Sequence, residues 1–199
     1  MKFTYNIADI EPYINWLYFY HAWGMTGKPA EEKQKLRDDA TAMLHSWNGR
    51  YHTRGLFELF DANSDGDDLL LGNVRIPMLR QQPVVGSTKP CLCLTDFVRP
   101  LSMGIKDKVG VFATTVEASV AMANRSDAYE QMLSQTLADR LAEGTTELLH
   151  EAIRKTYWGY APDENLTVEQ MLHEKYQGIR PAVGYPSLPD TSINFLLSD

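Results

Sequence analysis

The sequence contains few cysteines and no long apolar run. Cys91 and Cys93 are the only thiols among 199 residues, and a disulfide between residues two apart would be strained. Both are interpreted as reduced thiols in the core. No segment approaches the roughly eighteen apolar residues that suggest a membrane span, and the N-terminus lacks the apolar stretch of a signal peptide. These features predict a cytoplasmic protein that does not enter a membrane.

Basic runs are missing as well. The chain has 19 Lys and Arg against 26 Asp and Glu, which gives a formal net charge of −7. Proteins that bind nucleic acids concentrate lysine and arginine to neutralise phosphates. The charge balance therefore argues against a nucleic-acid partner.

The usual sequence motifs of metal and catalytic sites are also absent. The five histidines are scattered and form no His-x-x-x-His pair, and there is no Cys-x-x-Cys. A Gly-x-Gly-x-x-Gly fingerprint, a Walker-type loop and a Gly-x-Ser-x-Gly elbow are likewise missing. The sequence thus predicts neither a metal site nor a catalytic residue in this chain.

One local motif resembles half of an EF-hand loop. The stretch Asp61-Ala62-Asn63-Ser64-Asp65-Gly66 has oxygen ligands at loop positions 1, 3 and 5. Position 12, which should be a bidentate glutamate, is Gly72, and position 8 is Asp68. The favoured interpretation is a polar turn between two strands, and the alternative is a calcium-binding module.

Apolar periodicity predicts both helices and strands. One helix contains Leu36, Ala40 and Leu44, and the longest extends from about residue 129 to 157. A capping box, Thr167-x-x-Gln170, opens a shorter helix that should end near Gly178. Short apolar runs predict strands at Leu56–Phe60, Leu69–Leu71, Cys91–Val98 and Val109–Val116. The expected fold is α+β, with a twisted, mainly antiparallel sheet flanked by long helices.

The segment Gln177–Asp190, which includes a proline-rich segment at residues 181–189, is the most distinctive part of the chain. Pro181, Gly184 and Pro186 favour a rigid backbone rich in turns. Arg180 offers a planar fork for a carboxylate, and Tyr185 offers an aromatic face with a hydroxyl. The pattern indicates a site for a small zwitterion or nucleoside, or else a structural turn with Arg180 in a surface ion pair.

Several sequence blocks occur in the order found in one known family. They are Ile14-Asn15-Trp16, His21-Ala22-Trp23, Arg54-Gly55-Leu56, Gly66-Asp67-Asp68, Leu79-Arg80-Gln81-Gln82, Cys93-Leu94-Thr95-Asp96-Phe97-Val98, Ala138-Asp139-Arg140-Leu141-Ala142-Glu143, Trp158-Gly159-Tyr160-Ala161-Pro162 and Arg180-Pro181-Ala182-Val183-Gly184-Tyr185-Pro186. On these blocks the chain resembles the S-adenosylmethionine-binding reactivation (activation) domain of cobalamin-dependent methionine synthase.

The resemblance implies a module that binds S-adenosylmethionine and supports reductive remethylation of an oxidised cobalamin. The chain has no Asp-x-His-x-x-Gly motif, so the cobalamin is expected on a partner, either methionine synthase or a related corrinoid methyltransferase. A flavodoxin-type protein is the implied electron donor. The chain would be one component of that methyltransferase and not catalytic alone.

The resemblance also implies a set of ligand-binding residues. Arg180 matches the family's arginine and would take the ligand carboxylate, with Ala182, Gly184 and Tyr185 holding the rest. Glu143 and Glu174 match acidic positions that would face the sulfonium. Asn15 matches an aspartate that accepts from the ligand ammonium.

Two departures from the family lead to an alternative hypothesis. Asn15 replaces the aspartate, and residues 1–199 are interpreted as one domain that lacks the family's C-terminal Ser-Gly-x-Tyr-Phe-type strand. The alternative is a degenerate activation-like module that docks on its partner without effective S-adenosylmethionine binding.

Overall fold

The computed structural model describes residues 1–83, 85–86, 88–120 and 127–197. The chain divides into two compact units. The first unit comprises Met1–Phe57 and Phe112–Gln177, and the second comprises Glu58–Val111 and Gly178–Asp199.

Six α-helices lie in the described residues. They are α1 (Ile7–Ile10), α2 (Trp16–Ala22), α3 (Ala30–Trp47), α4 (Ala128–Ala152), α5 (Val168–Leu172) and α6 (Ile193–Leu197). A π-helix, Ile153–Tyr157, continues α4, and short 3-10 helices occur at Glu11–Tyr13, Leu94–Phe97 and Leu101–Met103. The helix predicted over residues 129–157 is therefore confirmed as α4 and its π-helical continuation.

The described strands form one five-stranded sheet. The strands are β1 (Lys2–Asn6), β2 (His52–Asp65), β3 (Asp68–Leu71), β4 (Val74–Pro77) and β5 (Asp107–Val116). The order is β1-β2-β3-β4, each neighbour pairing antiparallel, and β5 also pairs with β2. The expected α+β fold with a mainly antiparallel sheet is confirmed.

The core of the first unit is built around α4. Residues four apart lie on the same face of a helix, and Leu133, Leu137 and Leu141 are each at most 1% exposed. They pack in one cluster with Ile10 of α1, Phe19 of α2 and the buried face of α3. Burial of this shared apolar surface is the main force that holds these helices together.

The second unit has its own apolar cluster. Leu69, Leu71 and Ile76 alternate with more exposed residues in β3 and β4, as one face of a strand requires. They pack with Cys93 and with Ile193 of α6. Cys93 is buried and Cys91 is half-buried, both as free thiols.

Two element predictions need correction. Cys91–Val98 is not a strand, because a 3-10 helix begins at Leu94 and the Asp96 carboxylate accepts from the Cys93 amide. The helix opened by the Thr167 capping box ends at Leu172 and does not reach Gly178. Glu174 has φ +55°, a left-handed conformation that a helix cannot continue through.

Among the helices that the structure describes, none is both long and apolar enough to cross a membrane.

Candidate functional site

The proline-rich segment is a closed turn in the second unit. The Tyr185 amide donates to the Ala182 carbonyl at 3.2 Å, and the Gly184 amide donates to the Leu188 carbonyl at 2.8 Å. The Leu188 amide in turn donates to the Tyr185 carbonyl. Gly184 adopts φ +92°, which glycine accepts without steric cost. The segment is therefore ordered by its own backbone.

Apolar anchors fix this turn to the second unit. Val183 and Leu188 pack against the apolar cluster, whereas Ala182 and Gly184 are exposed. The Tyr185 side chain is 62% exposed. Arg180 is half-buried and engaged in contacts of its own. The segment thus exposes backbone and an aromatic ring, and the packing of Val183 and Leu188 against the apolar cluster fixes its position within the second unit.

Asn15 lies in the first unit, at the start of α2. Its side-chain oxygen accepts from the Leu17 amide at 3.1 Å and from the Tyr18 amide at 3.5 Å, so it is the N-cap of that helix. An amide oxygen can accept two hydrogen bonds, and here both donors are backbone amides. A role for Asn15 in binding an ammonium stays a prediction.

Glu143 lies on α4 and is bound to a neighbour on the same helix. The Arg140 guanidinium donates to its two carboxylate oxygens at 2.6 and 2.9 Å. The Arg140 side chain is 15% exposed and that of Glu143 is 53% exposed. The arginine holds the carboxylate in one orientation on the outer face of the helix.

Glu174 follows α5 in the first unit. Its side chain is exposed and its amide donates to the Met171 carbonyl. The left-handed φ of this residue is uncommon for a glutamate. Within the first unit Asn15, Glu143 and Glu174 belong to three separate elements, while Arg180, Ala182, Gly184 and Tyr185 share one segment of the second unit.

The EF-hand-like stretch is the end of β2 and the start of the turn to β3, because Asp61–Asp65 belong to β2 and Gly66 and Asp67 form the turn. Asp65 pairs with Asp68 across the turn, and both carboxylates bind Arg75. The Asp61 carboxylate binds Lys106 and Lys108, and their hydrogen bonds lower its pKa to about 2. These acidic groups are thus neutralised by basic side chains, and the residues described by the structure include no group of three or more possible metal ligands. The expected polar turn between two strands is confirmed at Gly66 and Asp67, whereas the five residues before it are in β2.

The first unit contains a buried charged cluster that was not predicted from the sequence. Arg154 is fully buried and donates from Nε and Nη2 to the Glu164 carboxylate at 2.5 to 3.1 Å. Its Nη1 donates to Nδ1 of His150 at 2.7 Å, since a guanidinium has only donors. The four-residue spacing of His150 and Arg154, beside the apolar stripe of α4, was the only available signal.

The antiparallel sheet and the helices form an α+β fold, and the proline-rich segment is a hydrogen-bonded turn. Residues 6–199 match the family model described as "Vitamin B12 dependent methionine synthase, activation domain". The chain belongs to this activation-domain family.

A solved structure supports the same assignment. It is described as "Crystal Structure of the MetH Reactivation Domain bound to AdoHcy", and it matches with a TM-score of 0.91 and 36% sequence identity. The match covers 100% of this chain and 68% of that chain. The resemblance inferred from the sequence blocks is confirmed.

Proposed function

We propose that this chain binds S-adenosylmethionine and supports reductive remethylation of a cobalamin held by a separate corrinoid-bearing protein. The observation that supports this proposal most directly is the anchored turn of the proline-rich segment in a chain of the activation-domain family. A relative of 36% identity is described as bound to AdoHcy, which shares the adenosyl and amino-acid parts of S-adenosylmethionine.

The turn suits a ligand with an adenosyl group and an amino-acid end. Its backbone is ordered before binding, so little conformational entropy is lost when a ligand contacts it. The exposed Tyr185 ring offers a flat apolar face for a nucleoside, and the guanidinium of Arg180 is suited to a carboxylate. Ala182 and Gly184 are exposed and neither has a large side chain, so they do not obstruct the approach of a ligand to the turn.

Three further residues that match the family's ligand-binding positions belong to the proposed set. Glu143 and Glu174 supply carboxylates for the sulfonium, and Asn15 supplies an amide oxygen for the ammonium. The cap hydrogen bonds of Asn15 compete for that oxygen, so its contribution to affinity is expected to be small. S-adenosylmethionine supplies the methyl group, while these side chains bind and orient the S-adenosylmethionine molecule.

Titration calorimetry with wild-type protein and Arg180→Ala tests the binding proposal. Wild type should bind S-adenosylmethionine, and the substitution should weaken binding by at least tenfold, because a charge-assisted hydrogen-bonded contact contributes about 1.5–3 kcal/mol. Arg99→Ala, at an exposed arginine of the second unit, is the matched control and should bind as wild type. Absence of heat with wild-type protein would contradict the proposal.

The partner is proposed to carry the cobalamin, and an electron donor of the flavodoxin type is proposed to complete the reaction. The donor would supply one electron and S-adenosylmethionine would supply the methyl group for remethylation of the partner's cobalamin, with S-adenosylhomocysteine as the other product. The chain's part in this scheme is to bind and present the methyl donor.

A second candidate is a docking module without effective ligand binding. The capping role of Asn15 favours it, because the oxygen expected for the ammonium already accepts two backbone amides. This candidate predicts association with a corrinoid-bearing methionine synthase in sedimentation experiments, unchanged by S-adenosylmethionine. Ligand-dependent association would favour the first proposal instead.

A further inference from the structure

Glu174 follows a short helix and is succeeded by residues that contact a buried charge. Its left-handed φ places it in a turn after α5, where the Glu174 and Lys175 amides donate to Met171 and Gln170. Tyr176 and Gln177 come directly after this turn. What holds Tyr176 and Gln177 therefore also restrains the turn that presents Glu174.

Tyr176 lies against the buried cluster of Arg154, Glu164 and His150. The Arg154 guanidinium carbon is 4.5 Å from the centre of the Tyr176 ring, within the range of a cation–π contact. The His150 ring meets the same tyrosine edge-on at 4.7 Å. Glu164 holds the Arg154 guanidinium in place. The Tyr176 ring is therefore restrained by two contacts, one with Arg154 and one with His150.

Gln177 is held by a second contact from the same region. The Tyr160 hydroxyl donates to the Gln177 carbonyl at 3.2 Å, and the Tyr160 ring meets Trp158 edge-on at 5.0 Å. Tyr160 and Glu164 follow the π-helix Ile153–Tyr157, whose bond from the Trp158 amide to the Ile153 carbonyl is 2.9 Å long. Such helix irregularities are frequent at functional sites.

Burying an arginine and a glutamate together is costly, and a hydrophobic pair of similar volume is often as stable. An ion pair adds a defined geometry, because the donors of a planar guanidinium point in fixed directions and allow few arrangements of its partners. The pair thus suits the task of fixing one conformation of neighbouring residues.

We infer that Tyr160 and Arg154 are positioning residues that hold the 174–177 turn so that the Glu174 carboxylate is fixed for a sulfonium ligand. The inference rests on the proposed function. Its consequence is a preference for charge: the affinity for S-adenosylmethionine should depend on this network, whereas the affinity for the uncharged thioether S-adenosylhomocysteine should depend on it much less.

Titration calorimetry of the full chain with both ligands tests the inference. Tyr160→Phe removes the hydroxyl but keeps the ring, and it should weaken S-adenosylmethionine binding by roughly threefold to tenfold, the usual size of coupling between contacting groups. S-adenosylhomocysteine binding should change by less than about twofold. Glu174→Gln should cause the same selective loss, and adding Tyr160→Phe to it should cause no further selective loss.

Tyr129→Phe is the matched control. Tyr129 lies at the start of α4, and the substitution removes a hydroxyl that donates to Asp39 of α3. It should leave the ratio of the two affinities at the wild-type value. Thermal unfolding of each variant shows whether it is folded, and Tyr176→Leu provides a second variant that removes the ring facing Arg154.

The possible outcomes separate the two ideas. Equal losses for both ligands, unchanged binding by Tyr160→Phe and Tyr176→Leu, or additive selective losses with Glu174→Gln would overturn the positioning role alone. Wild-type protein that binds neither ligand would overturn the proposed function and this inference together.

Discussion

Gly144 of α4 packs closely against Ile10 of α1. A Cβ added there would lie 2.9 Å from Cγ2 of Ile10 and 3.4 Å from the Ile10 carbonyl oxygen. Ile10 is fully buried and β-branched, so it has little freedom to move aside. Gly144 is therefore required by packing, although glycine costs about 1 kcal/mol relative to alanine within a helix.

Gly144→Ala should lower the free energy of unfolding by about 1–2 kcal/mol. Overpacking a core costs about 1–3 kcal/mol, which exceeds the gain in helix propensity. Urea denaturation measures the change. Gln135→Ala, at an exposed position of the same helix, is the control and should change stability by less than about 0.5 kcal/mol. A more stable Gly144→Ala protein would contradict the packing argument.

Asn15→Asp should increase S-adenosylmethionine affinity several-fold if Asn15 contacts the ligand ammonium. A carboxylate makes charge-assisted hydrogen bonds that are roughly twice as strong as neutral ones, a gain of about 1 kcal/mol. Aspartate is also an effective N-cap, so α2 should remain intact. Calorimetry gives the affinity, and Asn6→Asp at the N-cap of α1 is the control. Equal or weaker binding would place Asn15 outside the ligand site.

At the scale of elements, Arg80 joins three parts of the second unit that have little regular structure. Its guanidinium donates to Asp67 in the turn after β2, to Asp96 in a 3-10 helix and to the Cys91 carbonyl. The hydrogen bonds from Arg80, followed by that from the Cys93 amide, lower the pKa of Asp96 to about 2. These hydrogen bonds of Arg80, called here the Arg80 clamp, connect residues 91–96 to the turn after β2, in a region where residues 91–96 form no strand.

The Asp96 contribution to stability should depend on pH in a defined direction. Its folded pKa of about 2 is below the ordinary value of 3.8, so the carboxylate stabilises the fold above about pH 4. That contribution is lost as pH falls toward 2. Asp96→Asn should therefore lower the melting temperature at pH 7, and the difference from wild type should shrink between about pH 4 and pH 2.

Thermal unfolding across this pH range measures the effect of Asp96. In an Arg80→Met background the same substitution should have a smaller pH-dependent effect, because the main cause of the lowered pKa has been removed. A constant difference between Asp96→Asn and wild type at every pH would refute the clamp's role.

At the scale of the whole molecule, the chain should act only together with a corrinoid-bearing partner. A methionine synthase fragment that holds cob(II)alamin, mixed with reduced flavodoxin and S-adenosylmethionine, should form methylcobalamin when this chain is added. Absorbance spectra of the cobalamin report the change. Arg180→Ala should abolish the effect, whereas Arg99→Ala should retain it. Equal methylcobalamin formation without the chain would contradict the proposed function.

Much of the fold could be predicted from local patterns. Leu36, Ala40 and Leu44 follow the helical period, and they form the buried face of α3. The polar stretch after Phe60 predicted a turn between two strands, and Gly66 and Asp67 form such a turn between β2 and β3. The run Cys91–Val98 misled, because its apolar residues are consistent with a strand while the Asp96 cap that bends it depends on a side chain three residues away.

The sequence by itself determined the family and the fold class, because the ordered blocks and the apolar periods are properties of the chain. Only the tertiary structure decided how single groups are used. It assigned the Asn15 oxygen to the cap of α2, bound Glu143 to Arg140, and buried Arg154 between Glu164 and Tyr176. Burial and pairing of charges depend on residues that meet only after folding, and for this reason local patterns did not reveal them.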